Sequence, residues 1–195
     1  MKTSIRFRTV VVATIAALSP SLAFAHSGGY HVHGLVMGLE HPVFALDHLL
    51  AMVAVGMIAA RTGGRGVLVV PLSFVSAMVA GALLGMAGLG LPSLETGVAL
   101  SLVVFGAVIG LHRPVPLAAA ALTAVFGVFH GNAHGLEIPE NAGGLAYAAG
   151  FIFATSALHA IGTISGVKLA GWPTALRAAG IGTSLVGIAM AAQTI

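Results

Sequence analysis

From Val43 to Thr194 the chain is a succession of apolar runs, and that pattern limits the fold more than anything else in the sequence. Each run is close to the roughly 20 residues that a helix needs to cross a bilayer. Six transmembrane helices are expected, over about 43–61, 66–88, 95–111, 115–134, 144–166 and 173–194. Gly and Pro clusters mark the turns between them: TGGRG at 62–66, LGLPS at 89–93, HRPVP at 112–116, PENAGG at 139–144 and GWP at 171–173. Charged residues make up 7% of the chain, against about 25% in an ordinary soluble domain. The expected fold class is therefore an all-α membrane protein, with residues 26–195 forming a single six-helix transmembrane domain. Small-xxx-small pairs such as Gly81/Gly85, Gly127/Gly131 and Gly162/Gly166 fit close helix packing in lipid.

The first 25 residues read as a separate object. A positive start, MKTSIRFR, leads into TVVVATIAALSP, which is too short to span, and then into the small residues Ala23 and Ala25. This is the pattern of a cleavable signal peptide, with cleavage after Ala25 and His26 as the mature N-terminus. With that end delivered outside, Arg61, Arg65, Arg113, Lys168 and Arg177 all fall on the inner side, as the positive-inside rule requires. Glu40, Glu95, Glu137 and Glu140 fall outside. Both mature ends are thus expected outside. The basic residues are scattered, which argues against nucleic acid as a partner. There is no cysteine, so thiolate metal sites and cysteine nucleophiles are excluded. A GxxxxGK[ST] loop is also absent, so ATP hydrolysis by that route is excluded.

Nine histidines are many for so apolar a chain. On this topology His26, His31 and His33 precede the first span, His41 stands at its mouth and His48 just inside it. His130 and His134 lie near the outer end of the fourth span. His159 lies in the fifth, about 22 Å below its start if the segment is helical. His112 reads as a loop residue. Asp47, beside His48, is an ionisable group inside a span, and such groups are functional by default. If a helix starts at Pro42, His41 and His48 are two turns apart on one face. Asp47 is then about 100° round from His48, so it either flanks the same interior line or orients a ligating imidazole. His130 and His134 share a face at i,i+4, and Glu137 follows His134 at i+3. Imidazole with carboxylate and no thiolate suits nickel, cobalt, zinc or copper(II). The candidate ligands are His41, Asp47, His48, His130, His134 and Glu137, with His159 further along the path. HSGGYHVHGLVMGLEH reads as an outer capture arm carrying His26, His31, His33 and Glu40. Met52, at i+4 from His48, is expected to pack in the core.

Two of these stretches resemble the HupE/UreJ family of small membrane proteins. One is His41-Pro42 through Asp47-His48, of the form H-x5-D-H and followed by LLAM. The other is Phe129 to Glu137, of the form F-H-G-x-A-H-G-x-E. The resemblance covers essentially the whole chain. It implies a nickel or cobalt permease associated with nickel-dependent hydrogenase and urease, with a periplasmic mature N-terminus in the bacterial inner membrane. His41, Asp47 and His48 are implied as the most important ligands. Family members often carry Gly where this chain has Ala45, which is expected to alter packing near Asp47. The function expected is a secondary permease whose cargo is Ni2+ or Co2+. No permanently bound cofactor is expected, and the bilayer and the divalent metal ion are the partners. The arrangement is compatible with a homo-oligomer. Two rivals use the same residues: an intramembrane zinc-dependent hydrolase, and a haem-binding electron carrier with paired axial histidines.

Overall fold

A computed structural model describes residues 34–110, 115–138 and 143–194. The expected signal peptide over residues 1–25, His26, His31, His33, His112, Arg113 and Glu140 lie outside the described residues. Within them the chain forms seven helices: α1 (Gly34–Phe44), α2 (Leu46–Thr62), α3 (Gly66–Met86), α4 (Leu94–Gly110), α5 (Pro116–Glu137), α6 (Gly143–Leu169) and α7 (Pro173–Ala191). The all-helical expectation holds. The helices α3, α5, α6 and α7 are each long and apolar enough to cross a membrane. The α1–α2 pair passes the same test only when taken together. Counting that pair as one span gives five. Helix α4 has 17 residues, the lower end of spanning length.

Local chemistry sets the helix ends. Pro116 and Pro173 occupy the first turns of α5 and α7, where a missing N–H costs nothing. Helix α3 closes with Gly88 in the left-handed region (φ 78°). The Gly88 N–H donates to Gly85 O at 2.8 Å and the Leu89 N–H to Leu84 O at 3.0 Å. This pair of bonds satisfies carbonyls that the helix end would otherwise orphan.

The first expected span is broken. Between α1 and α2 the axis turns by 78°, and Ala45 is extended (φ −84°, ψ 110°). Pro42 therefore lies inside α1 and does not start the helix that carries His48. The Ala45 torsions are open to any L-residue, so the break needs no glycine at that position. Of the stretch HSGGYHVHGLVMGLEH, the portion from Gly34 to His41 is helical and packs on α6. Gly34 and Gly38 of α1 lie directly on the carbonyls of Gly143 and Tyr147, and Gly150 of α6 lies on that of Leu35.

The same device joins the longer helices. Gly81 of α3 sits on the Val128 carbonyl, and Gly131 of α5 on that of Met78. Gly56 of α2 and Gly162 of α6 lie on the carbonyls of His159 and Val53. Helix α2 is the axis of the bundle. Its residues Ala51, Met52 and Ala54 to Ala59 are all buried, as in a helix that is apolar all round. Met52 is fully buried in this core. Large apolar side chains such as Leu68, Leu72, Phe153, Ile161 and Leu185 instead face outward, toward lipid. Polar groups at the head of α2 are thus held inside protein.

Candidate metal centre

Four imidazoles meet at one end of the bundle. The His48 ring lies 4.4 Å from that of His134 and 4.9 Å from that of His130. His41 lies 4.7 Å from His134 and 5.8 Å from His48. The four rings come from three helices. His41 is supplied by the last turn of α1, and the bend at Ala45 returns the chain so that His48 follows in the first turn of α2. His130 and His134 come from one face of α5, one turn apart. His48, His130 and His134 are only 6%, 0% and 3% exposed, so water cannot satisfy them freely.

Asp47 stands in the first turn of α2, at the helix N-terminus. Its Oδ1 accepts the His48 backbone N–H at 2.8 Å and the His48 Nδ1–H at 2.7 Å. Although neighbours on a helix point about 100° apart, the short carboxylate reaches the imidazole edge and fixes the tautomer. His48 Nε2 is left with a lone pair, buried and without a hydrogen-bond partner among the described residues. This is the carboxylate–imidazole pairing that orients metal-binding histidines and raises their basicity.

A second tautomer follows from a residue that sequence reasoning missed. Ser101 of α4 donates its single hydroxyl proton to Val98 O at 2.6 Å, and its oxygen lies 2.9 Å from His130 Nε2. With that proton committed, Nε2 must be the donor in the neutral ring. His130 Nδ1 then carries the lone pair, again buried and without a partner among the described residues. Nothing in ALSLVVFG signals this role, because a lone Ser in an apolar helix commonly bonds its own helix. Ser101→Ala should weaken metal affinity by about 10- to 100-fold, the usual cost of losing such a partner. Ser101→Thr, which keeps the hydroxyl, should restore most of it. Calorimetric titration of the purified protein with Ni2+ reads both, and unchanged affinity in Ser101→Ala would refute the role.

His134 has both ring nitrogens buried and unpartnered among the described residues, and it packs 4.1 Å from the Phe151 ring. Ligand atoms of His41, His134 and Glu137 lie within 4.8 Å of one another, Glu137 on the exposed side. His134 therefore belongs to two groups, an outer one with His41 and Glu137 and an inner one with His48 and His130. Glu40 is exposed on α1 and is not part of either.

Below the cluster, Phe74 of α3 is fully buried. Its ring lies 5.6 Å from that of His130 and 5.4 Å from that of His159. His159 has both ring nitrogens buried and unpartnered among the described residues, and so has the Thr155 hydroxyl one turn away. Asn132, between the two motif histidines of α5, is another residue whose role was not legible. Its amide accepts from Leu91 N–H at 2.8 Å and donates to Leu89 O at 2.8 Å, which ties the α3–α4 turn to the helix that carries His130 and His134.

The fold and centre define a multi-pass helical membrane protein with a buried cluster of imidazoles near one end. Residues 13–190 match the HupE / UreJ protein family. Protein HupE of Rhizobium leguminosarum bv. viciae is 42% identical over 154 residues, 78% of this chain and 80% of that relative. The chain belongs to the HupE/UreJ family. No solved structure matches it.

Proposed function

We propose that this chain is a secondary permease for a divalent transition-metal cation, nickel ahead of cobalt, taken up from the periplasm to supply hydrogenase or urease. The observation that carries this reading is the convergence of His41, His48, His130 and His134, with bare ring nitrogens on His48, His130 and His134. Uncharged buried nitrogens without partners are costly, and a borderline divalent cation is the species that repays several at once. Family membership favours nickel over zinc. The metal is cargo, and no permanently bound cofactor is part of the proposal.

The topology proposed with it has a signal peptide over residues 1–25 and six spans. The bent α1–α2 pair is the first and α4 the third. Its support is charge placement. Among the described residues Arg61, Arg65, Lys168 and Arg177 fall toward one end of the helices, and Glu40, Asp47, Glu95 and Glu137 toward the other. The first end is cytoplasmic by the positive-inside rule.

On this reading the ion is captured by His41, His134 and Glu137, with His26, His31, His33 and Glu40 upstream. It passes to His48 and His130, held by Asp47 and Ser101, and leaves past His159. Phe74 stands between His130 and His159, so passage needs that ring to move. A divalent ion moving inward gains about 4.6 kcal/mol per 100 mV, from about 2.3 per unit charge. Sites of moderate affinity in series let it leave as well as arrive. The test is radiolabelled nickel uptake by cells making the wild type or His48→Ala, with cobalt and zinc as competitors. Saturable uptake, competed more strongly by cobalt than by zinc and lost in the variant at equal membrane level, supports the reading. Equal uptake in both, together with hydrolysis of peptide or lipid by the zinc-loaded protein, would replace it with the hydrolase.

A further inference from the structure

The end of the bundle opposite the histidines carries a second polar feature. Helix α2 holds His48 near its start and Arg61 in its last turn, about 20 Å apart at 1.5 Å per residue. A cavity of about 230 Å³ opens beside Arg61, where α4 and α6 end and α7 begins, and Arg177 of α7 forms another part of its wall. Two arginines lining one cavity favour an anion with several oxygens, because a guanidinium is a planar fork of donors.

The cavity does not stand alone. A groove of about 420 Å³ runs between α4 and α7, and it shares Gly110 and Arg177 with the cavity. Away from Arg177 its walls are Gly106, Ala107, Ile181 and Leu185, with Ser184 beside them. The Ser184 hydroxyl is spent on Val103 O at 2.8 Å, so it offers the groove no free proton. A cavity lined by two arginines thus adjoins an apolar groove between two membrane helices, with Gly110 and Arg177 common to both. Trp172, the residue before α7, is 69% exposed at the same end. Exposed Trp collects where hydrocarbon meets headgroups, which puts the arginine cavity at headgroup depth and the groove at acyl depth. A free anion would use the cavity and leave the groove unexplained. A neutral apolar molecule would use the groove and gain nothing from the positive charge of Arg61 and Arg177 beside it.

We propose that the Arg61–Arg177 cavity and the adjoining α4–α7 groove together bind one anionic phospholipid, its phosphate on the arginines and one acyl chain against Gly106, Ala107 and Ile181. Basic pockets between helices on the cytoplasmic side hold anionic headgroups in this way. The site shares no residue with the metal pathway.

Native mass spectrometry of the full chain, released from vesicles of phosphatidylglycerol and phosphatidylcholine in equal parts, tests this. The wild type should retain one phosphatidylglycerol and discriminate against phosphatidylcholine. In the Arg61→Gln/Arg177→Gln double variant the preference should fall about thirtyfold, at about 1 kcal/mol for each basic side chain lost. Ile181→Trp keeps both arginines and fills the groove, and it should lose the bound lipid as well. This second variant separates the lipid site from misfolding caused by loss of the arginines, provided it runs as one species on size exclusion. His48→Ala should retain lipid as the wild type does. Equal retention of both lipids by the wild type would overturn the proposal. So would displacement of the lipid by millimolar inorganic phosphate, which would mark a free-anion site, or undiminished retention in Ile181→Trp.

Discussion

His48→Ala and His134→Ala, combined in one chain, should weaken nickel binding little more than either change alone. The two rings are 4.4 Å apart, and His48 Nε2 and both nitrogens of His134 are buried without partners among the described residues. Groups that hold one ion lose it together, so the second deletion removes an interaction that the first has already broken. Each single change is expected to cost most of the affinity. Calorimetry on purified wild type, both singles and the double completes the cycle. Losses that simply add would assign the two histidines to separate ions, and the shared cage would then be wrong even if both residues proved necessary for uptake.

Asp47→Asn should reduce nickel uptake to background when metal is scarce, while the protein accumulates in the membrane at the wild-type level. The two halves of this result rest on different physics. An ionised carboxylate in a span opposes insertion, by roughly 2.5–3.5 kcal/mol at a helix centre on the insertion scale, so its neutral isostere should insert at least as well. The carboxylate also takes the His48 Nδ1–H at 2.7 Å. An amide oxygen of the same shape holds that proton more weakly and makes Nε2 a poorer donor to a cation. Loss of such a partner typically costs about 10- to 100-fold in metal affinity. Half-saturation should therefore rise by that factor. Wild-type uptake by an abundant Asp47→Asn protein would remove Asp47 from the mechanism.

Both predictions depend on a geometry that the sequence showed only in part. Helix identity was legible because apolar runs of spanning length leave little choice, and the i,i+4 spacing placed His130 and His134 on one face. The break at Ala45 was not legible. Val43, Phe44, Ala45 and Leu46 continue the apolar run, position 45 lacks the glycine that would have suggested a turn, and Pro42 looked like a first helical residue. Helix α1 was hidden for a related reason. Gly34 and Gly38 lower helix propensity, and the close approach of those glycines to α6 explains why the segment is helical. Ser101, Phe74 and Asn132 carry no local signature at all. Their significance lies in contacts 29, 56 and 41 to 43 residues away in sequence, with His130, His130 and the α3–α4 turn.

The break at Ala45 has an electrostatic consequence. It ends α1 beside the cluster, where α5 also ends, so His41 and His134 each occupy the last turn of a helix. Aligned peptide dipoles leave about half a negative charge at each such terminus. Two helix ends therefore attract a cation to the mouth of the centre before any side chain ionises. A continuous first span would have supplied only one of them. The opposing positive end of α2 is the place where Asp47 stands, and its carboxylate offsets that terminus. The field at the mouth is thus written largely in backbone, and neutralising Glu137 alone would diminish it without abolishing it.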